Sequence, residues 1–366
     1  MIPLLVDLET EWRGGQNQAL LLLQGLYERG HAAELIAAEG SALGRRVQAA
    51  GIYVHSVSRG GFRLRAAAKI REVMKSGRIE LIHANEAHAV TAAWLAGAHR
   101  RVPFLISRRV GYPLGRSRLS RARYNAADCI IANSQWVAEQ AAASGAAHER
   151  LRVVYEGANI PERITAEQRE NARKRWSVLP NEPLLGCVGV LSSDKGQEWL
   201  IRALVEVRKK FPDTKLILAG DGPCRAELEM LTNELGLTNA VIFAGFIKDV
   251  ESVYAALDVF LLPSFFEAFN NSLLSAMANE IPSVVFQRGA LTEIVEDGRS
   301  GLVVSGPDVP EISAAVKRLL SDRRLATELA QAGRQRVAQN FTAERMVDST
   351  LQIYEEVLGN YTVGAR

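Results

Sequence analysis

Two doubly wound α/β domains of Rossmann-like type, set in tandem, are what this 366-residue chain predicts. Three observations carry that expectation. Continuous apolar runs of strand length alternate with helical patterns, which means a parallel sheet covered on both faces. The alternation breaks once, over residues 160–182, and then restarts. The length also fits, because about 150 residues is an ordinary domain and each half can bury its own core.

In the first half the strand candidates are IPLLVDL, AELIAA, YVHSV, ELIHAN, PFLISRR and CIIANS. Helical stretches such as QALLLLQGLYERG and FRLRAAAKIREVMKSG lie between them. The break, IPERITAEQRENARKRWSVLPNE, is polar and charged with prolines near both ends, and reads as the domain connection with a short helix of its own. Strands then resume as LLGCVGVL, TKLILAGDG, AVIFAGF, DVFLLPS, PSVVFQ and SGLVV, and two long helical patterns close the chain. The expected organisation is a first domain over 1–160, a linker over 161–182, a second domain over 183–340 and a terminal helix over 341–366 packing back on the first domain. Ligands of such sheets bind beyond the carboxyl ends of the strands, so two facing domains make a cleft walled by loops.

Composition excludes several classes. Cys129, Cys187 and Cys224 are odd in number and far apart, which argues against a disulfide framework or structural zinc and fits a reducing cytosol. No window approaches the roughly 20 apolar residues of a membrane span, and MIPLLVDLETEW lacks the basic start and long apolar middle of a signal peptide. The expectation is a cytoplasmic protein that can meet the inner face of the cytoplasmic membrane only from its surface. Residues 1–160 carry a balance of +8 and the remainder −5, which together make the net +3. Different partners for the two halves follow.

The most informative stretch is Gly189-Val190-Leu191-Ser192-Ser193-Asp194-Lys195-Gly196, between an apolar strand and a clear helix. Glycine lets backbone approach a ligand, a helix start offers free amides, and Lys195 adds a full charge, all suited to a diphosphate. An ordinary strand–helix turn with an exposed lysine would read the same way. In Pro263–Ala278, Glu267 falls in the loop after a buried strand, where a carboxylate can accept hydrogen bonds from sugar hydroxyls. Asn270, Asn271 and Ser272 offer polar groups at the next helix start, a placement that also serves plain capping.

VGVLSSDKGQEWLIRAL, LILAGDGP, SFFEAFNNSLLSAMANEIPSVV and LTEIVEDGRSGLVV occur in this order over residues 185–305. The set resembles the donor-binding half of family 4 retaining glycosyltransferases of the GT-B fold. The resemblance implies that Lys195 binds the donor diphosphate and Glu267 holds the transferred sugar. It implies donor contacts from Gly189, Gly196, Phe246, Phe269, Asn270, Asn271, Ser272 and Ser275. Two positions depart from the family pattern. Val190 stands where a second diphosphate cation is usual, and Ser275 where a ribose-binding glutamate is usual.

The first half agrees more weakly. Trp12-Arg13-Gly14-Gly15-Gln16 resembles the family's Gly-Gly loop, with two glycines that permit a tight turn near a ligand. Gly14 and Gly15 are thereby assigned to the donor side, and Trp12 and Gln16 to the acceptor side. His83 and Asn85 follow a strand, as do Arg108 and Arg109, and these four are the remaining acceptor-binding candidates. His83 and His88 have no evident third partner, so no metal is expected. No histidine stands near the Arg108–Arg109 strand end, where many relatives place one beside the reacting sugar.

Between Ala87 and Ala127 there is no acid, while Arg100, Arg101, Arg108, Arg109, Arg116, Arg118, Arg121 and Arg123 all occur. With the basic amphipathic stretch around Arg63, Arg65, Lys69, Arg71 and Lys75, this suits an anionic acceptor or a membrane surface. A solvated surface is the plain alternative. No nucleic-acid module is present, so none is expected as partner. Taken together the expectation is a metal-independent, retaining hexosyl- or related transferase without cofactor. It would move a sugar from a nucleotide-diphosphate donor to a lipid-linked or oligosaccharide acceptor, with cell-envelope glycans such as lipopolysaccharide as the setting. A catalytically weak or inactive scaffold of the same fold is the alternative.

Overall fold

All pairings between the named strands are parallel. The computed structural model describes residues 1–58, 62–115 and 117–364. It divides into two compact units, Met1–Gly157 with Ala343–Arg366, and Ala158–Thr342.

The first unit holds strands β1 (Pro3–Asp7), β2 (Glu34–Ala38), β3 (Val54–Val57), β4 (Leu81–Ala84), β5 (Phe104–Arg108), β6 (Cys129–Ala132) and β7 (Leu151–Val153). Their spatial order is β3-β2-β1-β4-β5-β6-β7. Helices α1 (Gly14–Glu28), α2 (Ala42–Ala49), α3 (Phe62–Met74), α4 (Ala87–Ala96), α5 (Arg118–Tyr124) and α6 (Gln135–Ala143) connect them. Every residue of β1, β2, β4, β5 and β6 is buried, as two covered faces require. The pleat splits β1 between two cores. Leu4 and Val6 join Ile36 and Ile82 on one side, while Leu5 joins Leu35, Leu81 and Leu105 on the other.

The second unit begins with α7 (Ala166–Arg175). Strands β8 (Leu184–Val188), β9 (Lys215–Ala219), β10 (Val241–Gly245), β11 (Val259–Leu262), β12 (Ser283–Phe286) and β13 (Leu302–Val304) follow in the order β10-β9-β8-β11-β12-β13. Helices α8 (Gln197–Arg208), α9 (Arg225–Glu234), α10 (Glu251–Ala256), α11 (Asn271–Ala278), α12 (Leu291–Ile294), α13 (Val309–Ser321) and α14 (Arg323–Asn340) complete it. In both sheets the winding reverses once, between β1 and β4 and between β8 and β11. Side chains cannot close over the strand ends at such a reversal, because the connections leave in opposite directions. The loops after β1, β4, β8 and β11 are therefore where binding groups converge.

Residues 161–182, read in the sequence as a linker, form part of the second unit. Thr165 and Gln168 make a capping box at the start of α7. Arg169 and buried Arg173 then ion-pair Asp258 at 2.6 and 3.1 Å, which fastens the helix beside β11. The last helix, α15 (Ala343–Gly364), returns to the first unit and packs on α1. A Cβ at Gly25 would overlap the side chain of Val347, so glycine sets that close approach. Arg29 pairs with Asp348 at 2.7 Å on the same seam.

Helix α7 ends in a Schellman motif: Val178 N–H donates to Arg173 O at 3.0 Å and Ser177 N–H to Lys174 O at 3.1 Å. Ser177 holds φ +53°, a left-handed conformation that costs a residue with a Cβ. Glu280 does the same at φ +55° after α11, but its carboxylate pairs with Arg163 at 2.8 Å. Among the described residues no side chain pairs with that of Ser177. Ser177→Gly is expected to stabilise the protein by about 0.5–1 kcal/mol, seen as a higher urea midpoint without a change in slope.

Candidate functional site

In the second unit the site is built from glycines upward. Gly189 N–H donates to Ala219 O at 2.9 Å and Leu191 N–H to Asp221 O at 3.1 Å, zipping the loop after β8 to the loop after β9. A Cβ at Gly220 would overlap the carbonyl of Gly189, and one at Gly222 that of Leu191. The chain then makes a single 3-10 turn, Ser193–Lys195, and leaves it through Gly196 at φ +66°. A Cβ at Gly196 would overlap Pro263 O, just after β11, and Phe265 N–H donates to Asp194 O at 2.9 Å. Backbone contact thus holds the Lys195 turn against the Glu267 loop.

Lys195 Nζ lies 2.6 Å from Glu267 Oε1. The Glu267 side chain is 6% exposed and that of Lys195 is 24% exposed, so the carboxylate is sunk and the ammonium reaches solvent. Asn270 Nδ2 donates to the same carboxylate oxygen at 3.0 Å, while its Oδ1 caps α11 by accepting from Leu273 N–H at 2.8 Å. Capping and site building are here one residue's two ends. Glu267 is pinned from below: its carbonyl accepts from Ala290 N–H at 2.9 Å, and Gly289 at φ +55° has no room for a Cβ against it. Helix α8 starts at Gly196 with no side chain capping it, which leaves first-turn amides beside Lys195.

The other donor candidates divide. Gly189 and Gly196 are framework, as described. Phe269 is a packing residue, buried with its ring 5.6 Å from that of Phe341. Asn271 and Ser272 open α11 half-buried, and Ser272 O accepts from Tyr254 Oη–H at 3.2 Å. Ser275 lies half-buried further along the same helix, its carbonyl accepting from Asn279 Nδ2 at 2.9 Å. Phe246 stands 71% exposed just beyond β10, and Val190 is 52% exposed beside Gly189.

In the first unit the polar groups gather round Asp7, the last residue of β1. Asp7 is buried and accepts from Asn85 Nδ2 at 2.6 Å and Gln16 Nε2 at 3.1 Å. Burial pushes its carboxyl up from the usual range, against the pull of those bonds. Arg109 donates to Asn85 O at 3.3 Å and to Asn85 Oδ1, and pairs with buried Glu156 at 3.3 Å. Asn133 Nδ2 adds a bond to Glu156 at 3.1 Å. Gln16, Asn85 and Arg109 are therefore brought together. Trp12 lies under the Arg46 guanidinium, 3.8 Å from the ring centroid.

His83 and Arg108 turn to internal partners instead. His83 sits between Tyr354 Oη at 2.6 Å and Ser107 Oγ at 2.8 Å, and burial pushes its pKa down to about 3. Arg108 donates to Tyr124 Oη at 3.2 Å and to Tyr112 O, tying the loop after β5 to α5. Gly14 and Gly15 open α1 as its first two residues, and neither is among the positive-φ residues. A Cβ on Gly15 would meet Arg109 Cδ only at an ordinary 3.7 Å.

Asp7, Glu86, Asn133 and Glu156 escaped the sequence reading. For Asp7, Glu86 and Asn133 the one signal was a polar residue at or just beyond a buried strand's end; Glu156, three residues past half-buried β7, had none. Glu86 caps α4, accepting from Ala89 N–H at 2.7 Å and Leu8 N–H at 3.2 Å. Burial, then the charge of Asp7, pushes it up to about 7. His88 does find acidic company: ligand atoms of Glu9, Glu86 and His88 lie within 4.8 Å of one another. Arg63 donates to His88 Nδ1 at 3.0 Å, however, so the neutral ring keeps its proton on Nε2. A metal-bound Nε2 needs the opposite tautomer, with an acceptor facing Nδ1.

Two doubly wound units in one chain are the architecture of the GT-B fold. Residues 12–161 match the family described as Glycosyltransferase Family 4, and residues 182–322 that described as Glycosyl transferases group 1. The chain belongs to the family 4 glycosyltransferases. It is 33% identical, over 60% of its length, to a 2-deoxystreptamine glucosyltransferase of Streptomyces kanamyceticus, and the match spans 58% of that relative. It is 28% identical to the lipopolysaccharide core biosynthesis glycosyltransferase LpsE of Rhizobium meliloti, over 79% of this chain and 85% of that one. Among solved structures, Anabaena HepE in complex with UDP and glucose superposes with a TM-score of 0.85 at 22% identity, covering 96% of this chain and 99% of that one.

The His83 environment yields a pH signature. The folded ring stays neutral down to about 3, whereas the unfolded ring takes a proton below its ordinary 6.5. Acid therefore favours the unfolded chain over that window. Between pH 6.5 and 4 the wild type should lose up to about 1.4 kcal/mol per pH unit more than His83→Gln. Urea midpoints across that range check the difference in slope.

Proposed function

We propose that the protein is a nucleotide-sugar glycosyltransferase whose second unit holds the donor. The observation that carries this reading is the Lys195–Glu267 pair at the β8/β11 switch point. One side chain offers a cation to phosphate and the other a sunk carboxylate to sugar hydroxyls. As the glycosidic bond breaks, charge develops on the departing diphosphate, and a positioned ammonium beside free helix amides stabilises it. Glu267 orients the sugar. HepE, of the same fold, is solved with UDP-glucose, which makes uridine donors the first to try.

The finer reading is transfer with retention at the anomeric carbon, without metal, the leaving phosphate taking the acceptor's proton. The acceptor falls to the first unit, around Gln16, Asn85 and Arg109. LpsE, named for lipopolysaccharide core biosynthesis, supports a lipid-linked or oligosaccharide acceptor in envelope glycan synthesis. No helix among the described residues is long and apolar enough to cross a membrane. Helices α3 and α5 both pack on α4 and expose Leu64 and Leu119 beside Arg63, Arg65, Arg118 and Arg121, a composition that suits an anionic lipid surface.

One observation favours a second reading, a weak or inactive binding protein. Val190, 52% exposed beside Gly189, offers no charge to a diphosphate. A donor screen by nucleotide release separates the two, and NMR of the product's anomeric configuration tests retention. In an active protein Lys195→Ala should lower turnover roughly 10²-fold, a far larger effect than the loss of stability that follows from leaving Glu267 without its cation. Near-normal turnover in that variant rejects the reading.

A further inference from the structure

The ammonium assigned to the diphosphate already has a partner. Lys195 Nζ lies 2.6 Å from Glu267 Oε1, and Lys195 is the only cation in the loop from Gly189 to Gly196. Main-chain contacts fasten both loops. Gly196 abuts Pro263 O, Phe265 N–H bonds Asp194 O at 2.9 Å, and Glu267 O is held by Ala290 N–H at 2.9 Å. Whatever approaches Lys195 must therefore compete with the carboxylate side chain itself. A buried carboxylate that loses its cation is strongly destabilised unless other donors replace it. Asn270 Nδ2, at 3.0 Å, supplies one donor to the same oxygen and no charge.

We propose that Glu267 makes the site discriminate between the sugar-bearing donor and the bare nucleotide diphosphate, by competing with the diphosphate for Lys195. The inference rests on the reading of Lys195 as the diphosphate cation. A complete donor brings hydroxyl groups that donate to Glu267 as Lys195 turns to phosphate, so the carboxylate stays satisfied. A nucleotide diphosphate without its sugar brings none. Glu267 then retakes the ammonium, and the product is held less tightly than the substrate. The carboxylate that orients the sugar before transfer thus helps to eject the nucleotide after it.

Calorimetry with UDP, GDP and ADP on the full chain tests this, without any need for turnover. Glu267→Gln keeps shape and removes the competing charge; it should bind the preferred nucleotide about tenfold more tightly than wild type. Glu267→Asp keeps the charge but retracts it from Lys195, and should gain part of that factor. Lys195→Met should bind more weakly, and in that background Glu267→Gln should bring no gain. Equal or weaker binding by both Glu267 variants, with Lys195→Met still impaired, overturns the inference and leaves the diphosphate reading standing. A Glu267→Gln gain that persists without Lys195 also overturns it, since plain repulsion would then suffice. Unchanged binding by Lys195→Met, or no binding of any nucleotide to any variant, removes the reading and the inference together.

Discussion

Backbone crowding at the β8/β11 reversal is the constraint on which the rest of the site depends. Gly196, Gly220, Gly222 and Gly289 each stand where a Cβ would strike a carbonyl of a neighbouring loop. Side chains there would push the loops apart. With glycine the loops touch through their main chains, and hydrogen bonds such as Phe265 N–H to Asp194 O lock the contact. The two charged side chains that project from this platform then have little choice of geometry. A lysine with four rotatable carbons is ordinarily a poor positioning device; here its root is fixed and its tip is claimed by Glu267.

The first unit solves a similar problem with polar side chains. Its switch point carries a chain of bonds from Gln16 through Asp7 and Asn85 to Arg109 and Glu156. Each buried charge in that chain has a partner, as burial demands. The arrangement is rigid rather than reactive. Asp7 is surrounded by donors, and His83 is locked between two hydroxyls with its basicity suppressed. Side chains of this kind shape a binding floor, and Glu86 is pinned too, its carboxylate held by the Leu8, His88 and Ala89 N–H groups while burial pushes it up to about 7.

Much of this was legible beforehand because it is local. Buried parallel strands announce themselves as unbroken apolar runs, and glycines flanking Lys195 mark a turn into a helix. Asn270 reads as a cap, and it is one. The reading faltered where a short pattern admits two geometries. Two adjacent glycines suit a tight turn or a helix start, and Gly14–Gly15 took the second. In the charged, proline-bounded segment 161–182 the expected short helix is present as α7, and what the pattern could not show is its anchor, Asp258.

The chain by itself determined the class of fold, the order of the loops and which residues stand at strand ends, since these follow from periodicity and neighbouring residues. Only the tertiary structure decided what those residues meet. Lys195 and Glu267 are 72 positions apart, and His83 and Tyr354 are 271 apart. Arg108 and Arg109 are adjacent, yet one points into the unit toward Tyr124 and the other toward Asn85 and Glu156. Alternation along a strand says that two neighbours face opposite ways. It does not say which face carries the site, because that depends on the elements the fold lays over each one.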